Sequence, residues 1–281
     1  MSVCLTPFYV NHATIQDLKV PVPCGRCPPC FARRTSHWSF RLRVEGRQHL
    51  VAYFVTLTYA NTPKSKNGYS TLKKRDVQLF MKRLRKENKK YNNEKIVYYC
   101  AGEYGSQFKR PHYHLIMFNA YESVIRAAWQ LDDVPLGHVH IGTVSDASIG
   151  YTLKYISKKL VNKKRHARDD RTPEFQLQSK GIGLNYLTPA MIRWHKQDPA
   201  NRCLAIIEDN QKISLPRYIR DKLFNDEEKQ IISNALQSIA IETEFELFKI
   251  HGKNLEAFKH NSALAQIERH NLKQTKTIDI F

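Results

Sequence analysis

The sequence predicts an α+β fold: an antiparallel sheet of about four to five strands backed by helices, with a helical extension at its C-terminal end. Three observations carry this. Apolar residues cluster at strand spacing in 51–59, 95–104, 111–118 and 137–144. Helical periodicity fills the intervals at 72–90, 121–131 and 145–160. Beyond Asp226 only helical patterns remain.

Taken in order, residues 1–50 form a cysteine-containing N-terminal segment. An irregular lead-in gives way to a helix over 31–49, packed through Phe31, Trp38, Phe40 and Leu42. Residues 51–165 form the core domain. Its first strand, Val51 to Tyr59, sets Tyr53, Val55 and Leu57 on one face. A basic helix follows at 72–90, with Val77, Leu79, Phe80 and Leu84 on its apolar side. Two strands joined by the short polar stretch Gly105 to Lys109 form a hairpin. A helix over 121–131 includes Ile125 and Trp129, and a strand over 137–144 precedes the last core helix. Residues 166–225 are expected as a basic connection and loop region. Residues 226–281 form the helical extension, marked by Ile231, Ile232, Leu236, Ile239, Phe245, Leu247 and Phe248.

The hairpin carries the first chemical signal. His112 and His114 lie two apart on one strand, so both point to one face, about 7 Å apart at ~3.3 Å rise per residue. The hairpin brings Glu103 beside them and completes a two-histidine, one-carboxylate metal site. Tyr113 points the other way. His138 and His140 repeat the spacing, but only Asp132 and Asp133 precede them, in what reads as a helix end. The first pair is preferred.

The helix at 145–160 carries the second. Ser145 or Asp146 can cap it, and Ile149, Leu153, Ile156 and Leu160 mark its buried stripe. Tyr151 and Tyr155 are four apart and share a face with Lys158. A tyrosine hydroxyl, with a pKa near 10, attacks a phosphodiester only with help from a base, a positive charge or a polarised electrophile. A nearby divalent cation supplies the polarisation, and Lys158 adds charge. Attack leaves a 5′-phosphotyrosine and a free 3′-hydroxyl, so strands can later be rejoined. The i+3 position of Lys158 favours Tyr155 for first cleavage.

These residues resemble the HUH replication-initiation endonucleases. The ordered set is the strand Tyr53 to Tyr59, His112-Tyr113-His114, then Tyr151, Tyr155 and Lys158. The likeness is greatest to the rolling-circle replication proteins of gokushovirus-like microviruses, small single-stranded DNA phages. It extends to Pro23 to Cys30, Arg33-Arg34, Trp38 to Arg41, Gly181 to Gly183 and Leu215 to Phe224, and covers roughly 20–224. The resemblance implies that the histidines bind Mg²⁺ or Mn²⁺ and that the tyrosines are nucleophiles. It leaves open which tyrosine acts first. Tyr113 stands where the family often has an apolar residue, and is expected to pack beneath the site.

Cys24, Cys27 and Cys30, two residues apart, can hold a zinc ion. A fourth ligand could be His37, Cys4 or a more distant residue. The alternative is that the thiols are buried apolar fillers.

A net charge of +19 favours a polyanionic partner. Candidate DNA contacts are Lys82, Arg83 and Arg85 on the basic helix, with Lys154 and Lys159 on the tyrosine helix. The expected partners are single-stranded DNA and replicative-form origin DNA. No apolar run approaches ~20 residues and no secretory signal is evident, so the expected setting is the host cytoplasm, without a membrane. No Walker phosphate loop occurs. Strand separation would fall to a host helicase, and extension to a host polymerase. Two other functions fit part of the pattern. A non-haem iron oxygenase shares the ligand set but needs neither tyrosines nor basic charge. A DNA-binding module with a cysteine-bound metal would form no covalent adduct.

Overall fold

The computed structural model describes residues 4–11, 19–91, 93–105, 107–158, 168–206 and 212–275, with backbone alone at 155–158 and 270–275. Its elements in chain order are β1 (Phe8–Asn11), β2 (Lys19–Val22), α1 (Pro28–Gly46), β3 (Ala52–Thr58), α2 (Lys74–Asn88), β4 (Val97–Tyr104), β5 (Pro111–Phe118), α3 (Glu122–Ala128), β6 (Gln130–Leu131), β7 (Val134–Pro135), β8 (Val139–Thr143), α4 (Asp146–Lys158), β9 (Phe175–Gln178), α5 (Pro189–Gln197), β10 (Leu204–Ile206), β11 (Lys212–Ser214), α6 (Arg217–Leu223), α7 (Asp226–His251) and α8 (Leu255–Thr275). The chain divides into two compact units. One spans Trp38–Asn185; the other combines Met1–His37 with Tyr186–Phe281.

In the 38–185 unit, five antiparallel strands lie in the order β8-β3-β5-β4-β9. Side-chain alternation splits the sheet into two faces of different use. One face buries Val55, Leu57, Cys100, Tyr113, Leu115 and Met117 against Val77, Phe80, Met81 and Leu84 of α2 and Val124 and Ile125 of α3. The other packs Tyr99, Ile116 and Phe118 against Trp38 and Leu42 of α1 and Ile149 and Leu153 of α4. Each large apolar side chain so buried contributes about 1.5–3 kcal/mol. The second face stays apolar only at one end. Towards the β4–β5 turn its residues become Thr56, Thr58, Glu103, His112 and His114.

Tyr113 packs beneath these residues, fully buried, as expected. Its hydroxyl accepts from Lys73 N–H at 2.8 Å and lies 2.9 Å from the Tyr59 hydroxyl, which donates to Asp76 Oδ2 at 2.8 Å. Tyr113→Phe leaves the Lys73 amide without this acceptor, a loss of about 1–3 kcal/mol. Thermal unfolding should show it as a Tm lowered by several degrees, with DNA chemistry on the other face retained.

Two segments differ from their sequence reading. The helix expected over 121–131 ends at Ala128, and Gln130 to Pro135 form a tight hairpin instead. Its corner residues Asp132 and Asp133 have φ of 49° and 62°. Aspartate tolerates that region, and two successive left-handed residues match the twist of a two-residue hairpin. Within 166–225, expected as connection and loop, lie β9, α5, β10, β11 and α6. Edge strand β9 pairs with β4 and completes the sheet.

In the other unit, β1 pairs with β2 and β10 with β11. The extension is two helices, α7 and α8. Asn225 and Glu228 form a reciprocal capping box at the start of α7.

Candidate metal centre and tyrosine helix

The β4–β5 hairpin builds the site. Gly105 N–H donates to the Arg110 carbonyl at 3.0 Å and closes the turn. The register then sets Glu103 directly opposite His112, and Thr56 of β3 opposite His114. Both histidines converge on one carboxylate oxygen: Glu103 Oε1 lies 2.7 Å from His112 Nε2 and 3.0 Å from His114 Nε2.

The outer nitrogens are fixed by the backbone and by β3. His112 Nδ1 lies 3.1 Å from the Arg110 carbonyl, which can only accept, so Nδ1 carries a proton. That leaves Nε2 facing an anionic oxygen, an arrangement that calls for a positive charge between them. His114 Nδ1 lies 3.0 Å from Thr56 Oγ1. Such outer contacts orient metal-ligating imidazoles. Glu103 is fully buried, and its Oε2 has no hydrogen-bond partner among the described residues. A buried carboxylate oxygen without a partner is costly, and a bound cation would remove that cost. Glu103, His112 and His114 could therefore hold one metal ion.

Helix α4 lies over this face. Ser145 and Ser148 bond each other's backbone N–H at its start, at 3.2 and 2.8 Å. Ile149 and Leu153 then anchor it in the core and turn Tyr151 towards the histidines. The Tyr151 ring meets His114 edge-on, with centroids 5.0 Å apart at 82°, and meets Phe54 at 6.2 Å and 89°. Phe54 in turn stacks on His114 at 5.5 Å and 10°.

The fold thus brings together Glu103, His112, His114 and Tyr151, with Lys154 half-buried on the same helix. Tyr155 and Lys158 continue the backbone of α4, with side chains outside those described; Lys159 lies outside the described residues. Lys82, Arg83 and Arg85 lie elsewhere, on α2, the layer against the opposite face of the sheet. Lys82 and Arg85 are exposed, whereas Arg83 donates from Nε to the Ala128 carbonyl at 3.0 Å and ties α2 to α3. The pair His138 and His140 is exposed. His140 stands opposite Thr56 and so faces the same side as the site, but joins no metal-competent group among the described residues. Thr56, Phe54 and the Arg110 carbonyl were missed from sequence. Strand alternation assigns Thr56 to the face opposite Leu57, but only the β3–β5 register puts it at His114.

A second group, Cys4, Cys24, Cys27 and Cys30, could also hold a metal ion. The fourth member is Cys4; His37 bonds Ser214 Oγ at 2.8 Å. Burial pushes the Cys100 thiol up, and it sits in the apolar face of the sheet.

An antiparallel sheet that presents a His-x-His pair and a carboxylate beneath a tyrosine-bearing helix is the arrangement expected of an HUH-type protein. Residues 52–160 match a family model of replication-associated proteins, that of the ORF2 type. The chain is 29% identical over 213 residues to replication-associated protein ORF2 of Spiroplasma virus 4, covering 70% of this chain and 66% of that one. It is 24% identical over 237 residues to replication-associated protein ORF4 of Chlamydia phage 1, covering 76% and 56%. To replication-associated protein VP4 of Bdellovibrio phage phiMH2K it is 26% identical over 216 residues, covering 71% and 66%. The chain thus spans between just over half and about two thirds of the length of these relatives. The likeness to small-phage replication proteins that the motifs implied is met. No solved structure matches the chain. No helix among the described residues is long and apolar enough to cross a membrane.

Proposed function

We propose that this protein initiates replication of a small phage by nicking single-stranded or replicative-form origin DNA through a tyrosine. It then holds the strand as a 5′-phosphotyrosine and later rejoins it. The observation that carries this reading is the edge contact of Tyr151 with His114, which shares the Glu103 carboxylate with His112. A nucleophile and a cation site meet on one face of the sheet.

Glu103, His112 and His114 would hold the ion. One hard carboxylate with two imidazoles suits Mn²⁺ and admits Mg²⁺. When bound, the ion polarises the scissile phosphodiester and stabilises charge building on its oxygens. The Tyr151 oxygen attacks phosphorus, the Tyr–O–P bond forms, and the strand's 3′ oxygen leaves and takes up a proton. Sequence favoured Tyr155 for this first step; the position of Tyr151 against His114 moves the proposal to Tyr151. Tyr155, one turn further along α4, is then the second acceptor, for the transfer that ends a round. Lys154, with Lys158 and Lys159 in the sequence after it, adds positive charge for the strand. Host helicase and polymerase would open the duplex and extend the free 3′-hydroxyl, in the host cytoplasm.

The test uses labelled single-stranded oligonucleotides tiling the replicon, with Mn²⁺. A protein–DNA adduct that survives denaturing electrophoresis is expected. Tight binding without an adduct on any oligonucleotide would overturn the reading in favour of a binding module. A narrower check concerns Glu103. Glu103→Gln keeps the side chain's shape but not its charge, and should raise the Mn²⁺ midpoint for adduct formation by about 10-fold or more. An unchanged midpoint would make Glu103 a structural residue of the hairpin.

A further inference from the structure

We propose that Cys4, Cys24, Cys27 and Cys30 form a closed, structural zinc site that fastens the β1–β2 hairpin to the start of α1. This goes beyond the nicking chemistry and does not rest on it. The four sulfurs lie within 4.8 Å of one another, and Cys4 Sγ and Cys27 Sγ are 3.8 Å apart. Four thiolates at ~2.3 Å from zinc in a tetrahedron stand about 3.8 Å apart along each edge. A disulfide would need ~2.05 Å, and all four cysteines are free thiols.

The backbone is arranged to serve sulfur. Leu5 N–H donates to Cys27 Sγ at 3.5 Å, and Cys24 N–H to Cys4 Sγ at 3.2 Å. Arg26 and Cys27 N–H donate to Cys24 Sγ at 3.3 and 3.4 Å. Gly25, at φ +70°, makes the turn that aims the last two. Arg33 Nη2 lies 3.7 Å from Cys30 Sγ. Apolar filler thiols need no such donors, whereas four thiolates around one dication carry a net negative charge that these donors offset. Thiolate in all four positions leaves no place for water or substrate, which marks a structural rather than catalytic ion.

Its position states its role. Cys4 precedes β1, Cys24 follows β2, and Cys27 and Cys30 flank the first turn of α1. Strands β1 and β2 have four residues each, and β1 is exposed throughout, with Phe8 at 53% and Tyr9 at 65%. A two-stranded hairpin of that size is marginal by itself. The ion would hold both of its ends.

The experiment measures zinc in the full chain, purified under reducing conditions and exchanged into chelator-treated buffer. About one zinc per chain is expected. It should be retained when His112 and His114 are both replaced by alanine, and lost in Cys4→Ser and in Cys27→Ser. Cys4→His, which restores a fourth ligand, should recover it. Cobalt loaded into the wild-type chain should give the intense visible bands of a tetrahedral tetrathiolate, a readout that needs no variant to fold. A wild-type chain without zinc and without those bands would overturn the proposal. So would zinc at the wild-type level in both serine variants.

Discussion

His114→Ala is expected to lower divalent-dependent nicking about 10³-fold while leaving most single-stranded DNA affinity in place. The variant removes one of two imidazoles from the cation site, and with it the link to Thr56 and the ring that Tyr151 meets. Lewis-acid stabilisation of a phosphoryl transition state is worth several kcal/mol, and each ~1.4 kcal/mol is tenfold in rate. Affinity comes instead from many phosphate contacts spread over a chain of net charge +19. His112→Ala should behave alike, since Glu103 Oε1 approaches both rings. Single-turnover cleavage alongside equilibrium DNA binding separates the two effects. Full nicking by the double variant would remove this site from the mechanism. Alanine at His138 and His140, both exposed, should be tolerated.

Tyr151→Phe should abolish the first adduct, a loss of about 10³-fold or more, because the attacking oxygen is gone and the barrier reverts to slower acceptors. Phenylalanine keeps the ring that contacts His114 and Phe54, so the packing of α4 and the Tm should be preserved. Tyr155→Phe should permit first cleavage and impair the second transfer, and the double variant should form no adduct. Peptide mapping of the wild-type adduct gives an independent reading. Tyr59 and Tyr113 are poor competitors, because burial pushes both hydroxyls well above the ordinary tyrosine range and neither faces the histidines. An adduct on Tyr59, Tyr99 or Tyr104 would sink the assignment to α4.

The chemistry was legible because it sits on local periodicity. A His-x-His strand, a carboxylate across a short loop and two tyrosines one helical turn apart are all patterns within about ten residues. The register Glu103 opposite His112 follows from a short loop and needs no long-range information. What stayed hidden depends on distant pairing. Thr56 reaches His114 only because β3 lies beside β5, and Cys4 closes the cysteine group only because β1 folds back on β2. Strand β9 follows a polar stretch and has four residues, too few for an alternation to declare itself, and its partner β4 lies some 70 residues earlier. The basic helix α2 shows the converse. Its charge was plain, but which layer it occupies was not, and the fold sets it against the face without the histidines. The hairpin at Asp132-Asp133 did carry a local signal, a pair of residues tolerant of left-handed backbone, which the neighbouring helical pattern masked.

Strand β5 is shared strictly by parity: His112 and His114 belong to chemistry, Tyr113 and Leu115 to the apolar layer beneath. A substitution on one side leaves the other nearly untouched, so catalysis and stability can drift independently. An insertion or deletion of a single residue within the strand is different in kind. It exchanges the two sets at a stroke, turning imidazoles into the core and a tyrosine and a leucine onto the DNA side. The loop at 105–110 can absorb changes in length that the strand cannot. Length variation among proteins built on this plan should therefore gather at that tip, with the spacing from His112 to Phe118 held constant.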